Sequence, residues 1–203
     1  MSKIEINSPV PELTLEGTNN ITFSISNYVG KNLVIYFYPK DSTPGCTVEG
    51  QDFRDNYEEF KELNTEILGV SRDSIKSHEN FKSKQSFPFE LLSDPDEKVC
   101  KSFDVMQLKS MYGREYMGVD RSTFLVNAEG TIVKEWRSVK VKDHVKEVLG
   151  LPAKVMRSAA EVQKIQQEKQ QQQIEQAELQ QAQQVAESAG KIAPALKAGM
   201  FSE

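Results

Sequence analysis

Cysteine is nearly absent from this chain, with two residues, Cys46 and Cys100, in 203. At most one internal disulfide can form. That excludes a disulfide-stapled secreted scaffold and fits a reducing, cytoplasmic setting. Histidine is as scarce, with only His78 and His144, so a Cys- or His-rich structural zinc site lacks ligands and no metal is expected. Positive charge is also short. Lys and Arg total 25 against 30 Asp and Glu, a net charge of −5, which argues against the basic face a nucleic-acid partner would need. No apolar run approaches the roughly 18 residues of a membrane span. The opening MSKIEINSPV has no apolar h-region, so no secretory leader is expected. Walker A and G-x-G-x-x-G glycine strings are missing, as is any constellation of paired carboxylates or metal ligands, so no cofactor is expected.

What is present divides near Leu151-Pro152. Before it, apolar clusters alternate with Gly, Pro, Asp and Asn, enough chain for one core without staples. After it, residues 163–184 hold twelve glutamines, including Gln170 to Gln173. This stretch is too poor in large apolar side chains to build a core. Its Gln, Glu, Ala and Lys favour helix, and neither Pro nor Gly interrupts Ser158 to Ala189. A step from Val162 through Ile165 lands on Lys169 and Gln172, so no heptad seam is sustained. The expectation is a domain over 1–151 and a polar, helical or partly disordered extension over 152–203, loose after Gly190.

Within the first 151 residues the pattern is α/β. Lys3 to Asn7 and Leu13 to Glu16 read as short strands or edge segments, and Ile21 to Ser26 as a half-buried strand. Leu33 to Tyr38 is a continuous apolar and aromatic run of the kind a central strand buried on both faces shows, and Pro39 ends it. Cys46 to Leu63 carries Phe53, Tyr57 and Phe60 at helical spacing. Glu66 to Val70 reads as a strand, Ile75 to Lys84 as a helix, Leu91-Leu92 as a short strand and Asp96 to Phe103 as a short helix. Tyr112 and Gly113 read as a mobile loop. Ser122 to Val126 and Thr131 to Trp136 form a hairpin through Asn127 to Gly130, and Val141 to Leu149 closes as a helix. This order predicts a thioredoxin-like fold, a central mixed sheet flanked by helices.

The segment with chemical promise is Tyr38-Pro39-Lys40-Asp41-Ser42-Thr43-Pro44-Gly45-Cys46-Thr47-Val48-Glu49. A buried strand ends, a Pro-bounded turn follows, and a cysteine falls in the first turn of a helix. Free cysteines are commonly small buried hydrophobes. This placement favours a reactive one, because unpaired N–H groups and the dipole at a helix start favour the thiolate. Thr43, three residues earlier, can turn its hydroxyl to the same pocket. Such a site would lie beyond the carboxyl end of a central strand, where α/β proteins bind ligands.

Pro39, Thr43 and Cys46 fill the P-x-x-x-T-x-x-C pattern of peroxiredoxins, and FYPKDSTPGCTVE resembles the Q-type subfamily, the bacterioferritin comigratory proteins. LLSDPDEKVCKSFDV and VDRSTFLVNAEGTIV extend the resemblance over residues 5–150. It implies a peroxidase whose nucleophile is Cys46, passing through a sulfenic acid while reducing hydrogen peroxide or small organic hydroperoxides. Thr43 would hold the peroxide. Arg121 matches the family arginine beside the sulfur, and Glu49 the acidic position that orients it.

The chain departs from that pattern at Gln51, where many Q-type members carry a resolving cysteine. Cys100 could resolve Cys46 instead. Its neighbours Val99 and Phe103 mark a buried face, which favours a packed structural thiol. An external reductant is therefore expected, either thioredoxin or glutathione with glutaredoxin. His78 and His144 read as surface residues, and Trp136 as core. The expected protein is a monomer or weak homodimer. A peroxide-sensing or holdase-like role using the glutamine-rich extension is the rival reading, and the absence of C-x-x-C disfavours thioredoxin-type exchange.

Overall fold

The computed structural model describes residues 4–11, 14–111, 113–151 and, further on, Gln167, Gln170, Gln171 and Ile174. Two units divide the chain, Met1–Val162 and Gln163–Glu203. The four described residues of the second are helical and exposed. The rest of the helix expected over Ser158 to Ala189 lies outside the described residues. No described helix is long and apolar enough to cross a membrane.

In the first unit, strands β1 (Thr14–Gly17), β2 (Thr22–Ser24), β3 (Asn32–Phe37), β4 (Thr65–Ser71) and β5 (Glu90–Ser93) are joined in one sheet by β8 (Ser122–Val126) and β9 (Ile132–Trp136). The order is β2-β1-β5-β4-β3-β8-β9. β3, β4 and β5 run parallel, while β8 lies antiparallel to β3 with Phe37 opposite Ser122. The helices are α1 (Pro44–Asp55), α2 (Tyr57–Glu62), α3 (Ile75–Gln85), α4 (Lys98–Ser102) and α5 (His144–Leu149). A central mixed sheet flanked by helices is the architecture the sequence pattern predicts.

Period-two alternation along β3 creates two cores. Leu33, Ile35 and Phe37 join Phe103, Val105 and Phe124 on one face. Val34, Tyr36 and Tyr38 join Phe53, Phe60, Phe81 and Val148 on the other. Every residue of β3 is buried, because side chains pack against it from both sides.

Several local expectations are corrected. Lys3 to Asn7 reads from sequence as a short strand or edge segment, and the structure gives the second. In the described part, Asn7 has φ 69° and donates to the Ile132 carbonyl at 2.7 Å, and an isolated Pro9–Thr131 bridge follows, so the stretch lies along the sheet edge without forming a strand. The helix expected over Cys46 to Leu63 breaks at Asn56 into α1 and α2. Ile25–Tyr28 is a 3-10 turn after β2. Gly113, φ +75°, sits in the turn of an unforeseen two-stranded ribbon, β6 (Met106–Met111) with β7 (Arg114–Val119). Tyr112 lies outside the described residues. The ribbon escaped notice because it stands apart from the main sheet. Met106 to Lys109 alternates apolar and polar residues, but the cross-strand pair Leu108 and Met117 is exposed, so that alternation is not the mark of a core-facing strand.

Gly50 sets how closely α1 approaches its neighbours. A Cβ there would stand 2.4 Å from Phe87 Cζ. Phe87 cannot easily yield, since it meets Phe81 edge-on at 5.0 Å and stacks on Phe89 at 5.1 Å. Gly50→Ala is therefore expected to destabilise the fold by about 1–3 kcal/mol from overpacking, despite a helix-propensity gain of about 1 kcal/mol. A lower urea midpoint in equilibrium unfolding checks this, and an unchanged or higher midpoint contradicts it.

Candidate active site

The site forms where β3 ends. Pro39, half-buried, follows the strand, and Thr43 is the extended residue preceding α1 (φ −82°, ψ 152°). Pro44 occupies the first helical position, so its missing N–H removes one donor that the helix could not use. Gly45 and Cys46 follow in the first turn, whose N–H groups lack partners inside the helix. Cys46 is 2% exposed.

Arg121 reaches this sulfur because of topology. β8 is antiparallel to β3, so the residue before β8 stands at the carboxyl end of β3. Arg121 Nη2 donates to Cys46 Sγ at 3.3 Å, and Nη1 donates to Glu49 Oε2. Gly45 leaves room for this approach, since a Cβ there would lie 3.3 Å from Nη2. Glu49, one turn after Cys46, is 1% exposed, and its Oε1 has no hydrogen-bond partner among the described residues. Burial pushes its carboxyl up to about 7, with the Arg121 cation opposing. Burial works against the charge on Arg121, but Glu49 and the Cys46 sulfur outweigh it and hold the guanidinium firmly protonated. One cation thus spans a buried carboxylate and a buried sulfur at a helix start. That arrangement can stabilise negative charge arising on a sulfur or on a ligand oxygen beside it.

Thr43 Oγ1 donates to the Lys40 carbonyl at 3.1 Å, which leaves its lone pairs free to accept. Along the same first turn runs a groove of about 540 Å³, with Pro44, Val48, Val141 and Val145 on its apolar walls and Asp52 and Lys146 among its polar ones. The position of the missing resolving cysteine is taken up structurally, as Gln51 Nε2 donates to Gln85 Oε1 on α3 at 2.9 Å.

Cys100 is not part of this constellation. It lies in the core that packs Leu33, Ile35 and Phe37, whereas Cys46 lies in the core that packs Val34, Tyr36 and Tyr38. The sheet separates the two thiols, and both are free. Burial, reinforced by Asp94, pushes the Cys100 thiol far above its ordinary range.

Both histidines correct the surface reading. His78 is fully buried, and its ring contacts the Asp41 carboxylate. The signal was available, because His78 and Phe81 share the buried face of α3 at i, i+3 spacing. His144 is 3% exposed. Its Nε2 lies 2.8 Å from Thr123 Oγ1, and its ring stands edge-on to Trp136 at 5.7 Å. Burial lowers its pKa to about 4. Charged neighbours at Asp143 and Lys146 masked a helix face that turns Val145 and Val148 inward. Among the described residues no group of three or more His, Cys, Asp or Glu side chains is placed to hold a metal ion.

Residues 6–135 match the family model described as the AhpC/TSA family. Peroxiredoxin Bcp of Bacillus subtilis is 54% identical over 146 residues, covering 72% of this chain and 93% of the relative. Peroxiredoxin Bcp of Xanthomonas campestris is 49% identical over 146 residues, 72% of this chain and 91% of the relative. Among solved structures, Xanthomonas campestris peroxiredoxin Q superposes with TM-score 0.65 at 52% identity, over 68% of this chain and 87% of that one. A cysteine-to-serine mutant of PrxQ from Xylella fastidiosa gives TM-score 0.69 at 42% identity, over 73% and 95%.

The raised Glu49 carboxyl has a consequence for stability. Between its ordinary value of 4.5 and about 7, the folded protein keeps a proton that the unfolded chain releases. Stability should therefore fall as pH rises through that window, by at most about 3 kcal/mol. Glu49→Gln should flatten this slope between pH 4.5 and 7 in urea titrations; an undiminished slope would assign it to another group.

Proposed function

This chain belongs to the AhpC/TSA family, among its Bcp/PrxQ peroxiredoxins, and from that premise we propose that it reduces hydroperoxides through Cys46. The observation that carries the reading is the Arg121 guanidinium, anchored by buried Glu49 and donating to the Cys46 sulfur at the start of α1. The sulfur attacks the nearer oxygen of a hydroperoxide. An S–O bond forms as the O–O bond breaks, and the departing oxygen takes up a proton to leave as water or an alcohol. Cys46 becomes a sulfenic acid. Thr43 accepts a hydrogen bond from the bound peroxide, and Arg121 offsets the negative charge that moves onto the oxygens. Glu49 keeps the guanidinium aimed, and Pro39 limits the freedom of the loop that carries Thr43.

The substrates are hydrogen peroxide and small organic hydroperoxides, and the apolar groove beside Pro44 and Val48 is of a size to seat a short alkyl group. A solved structure of the Xanthomonas campestris bacterioferritin comigratory protein, 51% identical, concerns alkyl peroxide reduction by that protein. Resolution falls to an external thiol. Its sulfur displaces water from the sulfenic acid to give a mixed disulfide, and a second thiol then releases Cys46. The separation of Cys46 and Cys100 by the sheet supports this route over an internal bridge, which needs Cα atoms within about 7 Å. Thioredoxin, or glutathione with glutaredoxin, is the reductant class, and the activity serves protection against oxidative stress.

Cys46→Ser is expected to abolish peroxide consumption, and Cys100→Ser to leave it intact with an external thiol. Arg121→Lys is expected to slow Cys46 oxidation on the order of a hundredfold, by loss of the two-pronged contact. Stopped-flow oxidation kinetics and mass spectrometry of the oxidised protein check all three. Under the sensing or holdase role, Cys46→Ser would instead leave binding of a partner intact.

A further inference from the structure

The loop between β3 and α1 holds a strained residue between two fastened neighbours. Ser42 has φ 57°, a left-handed conformation that costs a non-glycine residue on the order of 1 kcal/mol. On one side, Thr43 donates its hydroxyl to the carbonyl of Lys40. On the other, the N–H of that same Lys40–Asp41 peptide donates to Asp73 Oδ2 at 2.9 Å. The Asp41 side chain then runs inward to a buried cluster. Its Oδ1 accepts from Tyr38 at 2.8 Å, and its Oδ2 accepts from Ser77 at 2.7 Å and faces His78 Nδ1 at 2.9 Å. The other ring nitrogen of His78 lies 3.2 Å from the carbonyl oxygen of Leu92 on β5.

Both nitrogens of His78 therefore meet acceptors, and only the imidazolium can donate from both at once. The carboxylate of Asp41 supplies the counter-charge that a buried cation requires. Burial would raise the Asp41 carboxyl, but bonds from His78, Ser77 and Tyr38 outweigh it and keep the group below its ordinary value. Around the ring the facing groups are Asp41 from the loop, Tyr38 from the end of β3 and the Leu92 carbonyl from β5. Asp73 stands one hydrogen bond further out, where it also accepts from Ser71 of β4.

We propose that His78 is a positioning residue for the peroxide site: its imidazolium, paired with Asp41, clamps the Lys40–Asp41 peptide and so holds the strained Ser42 turn that sets the orientation of Thr43 at the start of α1, one helical turn before Cys46. This rests on the reading of Cys46 and Thr43 given above. The clamp acts on peroxide orientation, not on the sulfur itself. Its loss should slow reactions that need Thr43 and spare those that need only an accessible thiol.

The test compares two rates in the full-length protein, oxidation of Cys46 by hydrogen peroxide and its alkylation by iodoacetamide. His78→Gln and Asp41→Asn are expected to slow oxidation on the order of ten- to a hundredfold while alkylation changes by less than about threefold. His78→Asn, whose amide can replace the Nδ1 donor, should recover much of the oxidation rate. Nitrogen-15 spectra of the unmutated protein should show a proton on both ring nitrogens of His78, as their two acceptor contacts require. Unchanged oxidation, a parallel fall in both rates, or a neutral ring in the spectra would each overturn the proposal. If the variants fail to fold, the spectra decide it. Cys46→Ser distinguishes the two failures, because peroxide consumption persisting in that variant sinks the reading of Cys46, whereas a neutral His78 sinks only the clamp.

Discussion

A single guanidinium held between a carboxylate and a sulfur organises this molecule's chemistry. Taking Arg121 and Glu49 out of water is costly, and such a pair survives inside a protein only where geometry returns the lost hydration as directed bonds. Here Arg121 places one nitrogen on Glu49 and another on Cys46. Glu49 Oε1 is left without a partner among the described residues. That incomplete satisfaction is why burial dominates the carboxyl's proton affinity, and it is a cost accepted for aiming a permanent charge at one atom. Lysine, with a compact charge and no fork, cannot make both contacts in this geometry.

The sheet makes the arrangement possible and limits what else can take part. β8 runs antiparallel to β3, so its first residues meet the end of β3, and the loop entering β8 delivers Arg121 to the start of α1. The same strand β3 divides the interior. Its alternate residues face different cores, with Cys46 in one and Cys100 in the other. With Gln51 bonded to Gln85 instead of offering a second thiol on α1, the site is built around one sulfur.

The loop that carries Thr43 is fastened rather than intrinsically stable. Ser42 takes a left-handed conformation, and hydrogen bonds to the flanking residues hold it there. Strain of this kind persists only when the surroundings over-determine it. The surroundings come from β3, β4, α3 and β5 together, through Tyr38, Ser71, His78 and the Leu92 carbonyl. Helix α3, far in sequence from Cys46, is thereby joined to the loop by a continuous run of hydrogen-bonded polar groups.

Much of this was legible in the chain itself. The apolar run of Leu33 to Tyr38 announced a two-faced central strand, because burial on both sides leaves no polar alternation. The place of Cys46 in the first turn of a helix was legible from the Pro-bounded turn after a buried strand, although the helix begins at Pro44, two residues before the expected start. The ribbon of β6 and β7, the break at Asn56 and the buried histidines were not legible. A self-contained hairpin shows no core-facing period, and charged neighbours of His144 concealed its packed face. Local pattern determined which segments are strands and helices and which cysteine opens a helix, since these depend on propensity and short-range sterics. Only tertiary structure decided that Arg121 touches Cys46 from 75 residues away, that Cys100 lies across the sheet, and that His78 meets Asp41, since those depend on which strands pair and in which direction.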